Sequence, residues 1–185
     1  NLSSTASTDT LEYTESTSTS AIAVVSNFAF GSGADVINID LSDMEAEAAH
    51  TAGRATNLVM GNAAAQVAEA TLVTEVSGAT TTAAGTDVLV FTRTTYANTA
   101  EIVKAVEGGN DTITTNSAWT NLDATLAFYS DGSDMYLAMI TYISAGAAAT
   151  TWDSGDSCEA KNLMKFEGVT TIASGDIANG DVVIT

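Results

Sequence analysis

Two short stretches place carboxylates where a hard cation would want them. In "FGSGADVIN", Gly31, Gly33, Asp35 and Ile37 occupy their positions in the calcium nonapeptide G-G-x-G-x-D-x-U-x, with Phe30 in place of the first glycine. In "EGGNDTITT", Gly109, Asp111 and Ile113 match the same pattern. The glycines permit a tight turn that aims carbonyl oxygens at an ion. The aspartate adds a charged oxygen, and the large apolar residue enters the core. The two copies stand 76 positions apart, Asp35 to Asp111. A calcium coil shares each ion between successive turns, so lone copies do not build one. Each is expected to start a strand at a Gly/Asp turn, either with one calcium or with none.

Further oxygen-rich clusters follow. "INIDLSD" adds Asp40, "SDGSD" offers Asp131, Ser133 and Asp134, "DSGDSCE" offers Asp153, Asp156 and Glu159, and "SGDIANGD" offers Asp176 and Asp181. Calcium takes about 6–8 oxygen ligands, and a loop of this kind supplies a few of them. Asp, Ser and Gly are also what turns are made of. The candidate metal ligands are Asp35, Asp40, Asp111, Asp131, Asp134, Asp153 and Asp156, and at least one of these clusters is expected to bind calcium. Catalytic patterns are missing: there is no G-x-S-x-G, H-E-x-x-H, P-loop or nucleotide-binding G-x-G-x-x-G. His50 is the single histidine, and Cys158, Trp119 and Trp152 read as packing residues. No enzyme is expected, although a pair of converging acids would escape a motif search.

The elements that must hold these residues read as strands. The 185 residues suit one domain. Residues 1–20 form a Ser/Thr-rich arm with little to bury, apart from one alternating patch, Leu11 and Tyr13, fit for an edge strand. Residues 21–185 read as a single β-rich domain. "AIAVVSNFAF" and "DVINIDL" flank the first glycine turn, and residues 42–70 are Ala-rich and mixed in pattern. Residues 71–93 read as two strands around a Gly/Thr turn, with "DVLVF" apolar on both faces and therefore central. "NTAEIVKAVEGG" is a helix: Asn98 caps it, Glu101 completes a capping box, Ile102, Val103 and Val106 form the buried stripe, and Gly108 ends it. "ATLAFYSDGSDMYLAMITYI" is a long hairpin turning at Ser130 to Ser133. Residues 144–185 alternate short strands with turns. The expected fold class is mainly β: a β-sandwich-like domain with one or two short helices and an extended N-terminal arm.

Charge narrows the partners. The formal net charge is −18, from 23 acidic against 5 basic residues, which repels nucleic acid and anionic lipid and attracts cations. Charged residues are only 15%, so hydroxyl and amide side chains must supply most of the polar surface. Proline is absent, and one cysteine allows no intrachain disulfide. No stretch reaches the ~18 apolar residues of a membrane helix, so no membrane insertion is expected.

The order "GSGADVINIDLS", "TDVLVFTRTTYANTAEIVKAVEGGNDTITT", "LAFYSDGSDMYLAMITY", "FEGVTTIASGDIANGDVVIT" resembles the C-terminal region of secreted hemolysin-type (RTX-like) calcium-binding proteins. More narrowly, it is similar to bacterial S-layer and surface-fibre proteins exported by type I secretion. The resemblance covers residues 30–43 and 85–185, and the tandem nonapeptides of the group are absent. It implies an extracellular or cell-surface location, with Asp181 to Thr185 as the uncleaved export signal. Together these features lead us to expect a non-enzymatic, calcium-stabilised structural subunit. It would polymerise with copies of itself into a filament or S-layer, by strand addition from the arm, with a cell-surface polysaccharide as a further partner. The alternative is a calcium-binding adhesin or carbohydrate-binding module of a larger secreted protein.

Overall fold

The structure is a computed structural model that describes residues 9–13, 22–31, 35–39, 73–82, 88–92, 95–119, 124–143, 149–151, 157–177 and 182–184. Within these the chain is mainly β. The strands are β1 (Thr10–Tyr13), β2 (Ala23–Ser26), β3 (Val36–Ile39), β4 (Val73–Val76), β5 (Thr80–Thr82), β6 (Val88–Phe91), β7 (Ile113–Trp119), β8 (Ala124–Ser130), β9 (Met135–Ile143), β10 (Ala149–Thr151), β11 (Ser157–Glu167) and β12 (Val182–Ile184). Two helices are described, α1 (Thr99–Val106) and α2 (Ser174–Ile177).

A six-stranded mixed sheet in the order β2-β11-β9-β8-β6-β4 forms the centre. All seven residues of β8 are buried, because both faces of this sheet are covered. β9 shows how one strand serves two cores. Met135, Leu137 and Met139 enter one, and Ala138, Ile140 and Tyr142 enter the other. The first core is closed by the parallel sheet β1-β3-β12, which contributes Ile37, Ile39 and Val182. Sheet therefore packs on sheet there, as the sequence leads one to expect. The second core is closed by α1 through Ile102 and Val106, and by Ile113 of β7, which lies in a third sheet, β10-β7-β5.

Local sequence explains several of these elements. The Asn98 side chain accepts from the Glu101 N–H at 3.2 Å, and Glu101 Oε2 accepts from the Ala97 N–H at 2.8 Å. Asn98 caps α1 as expected, while the Glu101 carboxylate reaches one residue past the Asn98 N–H of a capping box. A Cβ at Gly109 would come within 2.7 Å of the Lys104 carbonyl oxygen, so the chain can leave the helix tightly there only with glycine. β6 is central as expected, between β4 and β8.

Other elements depart from the sequence expectations. Residues 71–93 hold three strands: β4 and β6 pair in parallel, and β5 between them joins a different sheet. The hairpin loop runs from Asp131 to Asp134, since Ser130 still pairs with Met135. β11 is eleven residues long, although residues 144–185 read as short strands. Its Glu, Lys and Asn are poor strand formers, but pairing with β9 on one side and β2 on the other overrides that local preference. A bulge between Asn162 and Met164 turns Leu163 into the first core.

Phe166 is fully buried beside Phe28, Phe30 and Phe128, with ring centroids 4.9, 5.2 and 6.2 Å away. These rings join β8, β11 and the segment between β2 and the first glycine turn. Phe166→Ala is expected to lower the free energy of unfolding by about 3–5 kcal/mol in a urea titration. A loss below about 1 kcal/mol would mean that this ring cluster is not a real core.

Candidate functional site

The two motif aspartates do the same physical job. Asp35 is 5% exposed and stands immediately before β3. Its Oδ1 accepts from the Asp9 N–H at 3.0 Å, and its Oδ2 accepts from the Ala29 N–H at 2.9 Å. The backbone adds two more links: the Asp35 N–H donates to the Ala29 carbonyl at 3.1 Å, and the Val36 N–H donates to the Asp9 carbonyl at 2.8 Å. One carboxylate thus ties the entry of β1, the loop carrying Phe28 and Phe30, and the start of β3. Asp111 is 1% exposed and precedes β7. It accepts from the Tyr96 hydroxyl, while its own N–H donates to the Ala105 carbonyl at 3.2 Å. In both turns the apolar motif residue, Ile37 or Ile113, is fully buried. The strand-starting role expected of both stretches is what the structure shows.

The β8–β9 tip is a second acidic centre. Asp131 Oδ1 accepts from the N–H groups of Ser133 (2.8 Å) and Asp134 (2.9 Å), and Oδ2 accepts from the Tyr136 hydroxyl at 2.9 Å. Gly132 has φ +94°, a left-handed conformation that glycine adopts without strain. Asp134 reaches the other way. Its Oδ1 accepts from the Gly168 N–H at 2.8 Å, and Oδ2 lies 2.8 Å from Lys165 Nζ. The hairpin tip is thereby fastened to the end of β11.

The electrostatics follow from these partners. Burial acts to raise the Asp131 carboxyl, but the N–H groups of Asp134 and Ser133, the Tyr136 hydroxyl and the Lys165 charge outweigh it, and the net direction is down. Lys165 and the Gly168 N–H hold Asp134 below the ordinary range, and Asp134 in return raises Lys165. Burial raises Tyr136, and its bond to Asp131 adds to the effect. Burial pushes Tyr129 from 10.0 up to about 12, against the opposing hydrogen bond to Asn162. Tyr129 stacks on Tyr136 at 5.1 Å between centroids.

Asp35, Asp111, Asp131 and Asp134 therefore occupy three separate turns. Asp40, Asp153 and Asp156 lie outside the described residues, as do His50, Trp152 and Asp181. Among the described residues no three His, Cys, Asp or Glu converge as a metal-holding group. Each of the four described candidates accepts at least one hydrogen bond from the protein. Glu159 differs: its Oε2 is buried without a hydrogen-bond partner, and so is the hydroxyl of Thr141, its register partner on β9. Motif reasoning also missed Glu107, which accepts from the Cys158 N–H and ties α1 to β11. Its position just after the helix stripe was the available signal. Between α1 and β11 lies an open hollow of about 380 Å³, lined by Thr99, Ala100, Val103, Cys158, Glu159 and Ala160.

Comparison of the chain with protein-family models, with curated proteins and with solved structures finds no match.

The raised Tyr129 value fixes a pH dependence. The folded phenol ionises near 12 and the unfolded one near 10.0, so its contribution to stability is complete below pH 10.0 and is lost as pH rises through about 12. Asp131 and Asp134 behave oppositely: with folded values below 3.8, their contribution is present above that pH and disappears as pH falls through the folded values. An ultraviolet titration should show a late-ionising tyrosine near pH 12 that Tyr129→Phe removes. An unchanged late phase in that variant would contradict the assignment.

Proposed function

We propose that this chain is a non-enzymatic structural subunit of an extracellular assembly, a surface filament or S-layer. Copies join by strand addition from the N-terminal arm, and calcium stabilises the product. The observation that carries this reading is the placement of β1. It is an end strand of its sheet, paired in parallel with β3 over Thr10 to Tyr13, and anchored at its entry by Asp35. A short edge strand at the end of a flexible-composition arm is a unit that two copies can exchange. The contacts made within one chain can be made identically between two.

The electrostatics favour the same reading. Copies of a chain carrying −18 charges repel each other unless cations intervene, and outside cells calcium is the abundant hard cation. The acids outside the described residues (Asp40, Asp153 and Asp156) and the unpartnered oxygens of Glu159 and Thr141 are where calcium would be sought first. A hydrolytic acid pair would need a carboxylate with a raised pKa, whereas Asp131 and Asp134 are both lowered. The resemblance to secreted surface-layer proteins points in the same direction.

The arm must be cut in the right place to test this. A chain beginning at Gly31 would lose Val25 and Phe28 from the core. Removing residues 1–20 keeps β2 and the phenylalanine cluster. That shortened chain is expected to stay folded and to elute as a monomer under conditions where the full chain polymerises. Chelation should lower the melting temperature of the full chain by about 5–10 °C, or disperse its polymers. Normal assembly of the shortened chain would remove the arm from the mechanism. An unchanged melt in chelator would remove calcium.

A further inference from the structure

The described surface has two exposed large hydrophobic residues, Ile22 at 38% and Val24 at 56%, and they stand two apart at one end strand. Spacing of two puts them on the same face. The strand is β2, which Ile22 just precedes; among the described residues it is the outermost strand of the central sheet, paired on one side with β11. An end strand directs about half of its backbone N–H and C=O groups away from the sheet, and apolar side chains on such a strand mark it for pairing. Val25, the residue after Val24, is buried in the first core, so the strand is held in place and its register is set.

The charge pattern selects the occupant. Residues 22–26, "IAVVS", carry no ionisable side chain. β11 beside them carries Glu159, Lys161, Lys165 and Glu167, which balance to zero and include two of the chain's five basic residues. Lys165 is the register partner of Val24. In a chain of net charge −18, β2 is an uncharged, apolar strand, and the Lys165 beside Val24 is itself paired with Asp134. Another copy of the same chain is repelled by an acidic surface, but a strip of this composition meets it without that repulsion. The strip is also self-complementary. In an antiparallel two-fold pairing, the uncharged strand of one copy lies along the same strand of the other, and the exposed valines meet near the axis.

We infer that β2 is a docking edge for β2 of a second copy, which joins the two central sheets across a two-fold axis. The inference rests on the proposal that the chain self-assembles, and it adds a contact distinct from the arm. A strand of four residues buries less than a stable interface of about 800 Å² per partner requires. The edge therefore acts together with arm exchange, each contact raising the effective concentration for the other.

Val24→Glu in the full chain tests this by sedimentation velocity over a concentration series. Val24 is 56% exposed, so the fold tolerates the new carboxylate, but two such carboxylates would meet across the axis. Self-association is expected to weaken by at least about tenfold with an unchanged circular dichroism spectrum. Val24→Cys in a Cys158→Ala background supplies a second reading. Under mild oxidation it should form disulfide-linked dimers, because paired positions lie within the ~4.4–6.8 Å that a disulfide spans. The control Ala100→Cys in the same background, on the exposed side of α1, should not. If the chain assembles but Val24→Glu assembles equally and Val24→Cys fails to cross-link, the edge contact is refuted and the assembly proposal stands. A chain that is monomeric at every concentration refutes both.

Discussion

A carboxylate removed from water must have its charge answered by donors, and Asp35 has them in the backbone. Its two oxygens hold the Asp9 and Ala29 N–H groups, which belong to segments with no other reason to meet. The donors decide where the arm enters its sheet, and they hold the loop that delivers Phe28 and Phe30 to the rings of β8 and β11. Remove the charge and two donors near the base of the first core lose their acceptor. Asp111 repeats the arrangement on the opposite face, where it secures the turn from α1 into β7. In both places the motif aspartate fastens the start of a strand, Asp35 through two backbone N–H groups and Asp111 through the Tyr96 hydroxyl.

The same economy explains how so acidic a chain keeps a dry interior. The described acids gather at turns, strand ends and helix ends, where unpaired N–H groups are available. Two cores occupy the two faces of a central sheet. The arm strand ends the smaller sheet over the first core, latched by a carboxylate, and β2 ends the central sheet, uncharged and apolar.

Much of this was legible in the residues. The Asn98 cap of α1, the double-sided apolar run of β6 and a tight turn between β8 and β9, displaced by one residue, are local signals, and local signals survive folding. The entry of Ile37 and Ile113 into the cores followed from the nonapeptide spacing. What escaped was non-local. Nothing in "SCEAKNLMKFE" says that β9 and β2 will hold it as an eleven-residue strand. Nothing in residues 71–93 says that two of their strands pair in parallel while the third leaves for another sheet. The candidate acids were found as types, but the partners that make them latches lie up to 26 and 34 positions away in sequence.

The most direct measurement is residue-resolved hydrogen exchange on the intact chain and on Asp35→Asn, which keeps the side-chain shape but removes one of the two acceptors. The amides of Asp9, Ala29 and β1 should exchange about 10- to 100-fold faster in the variant, while those of β8 and β9 keep their protection. Equal protection of β1 in both chains would contradict the latch, and with it the arm's role as a unit held at one acidic point.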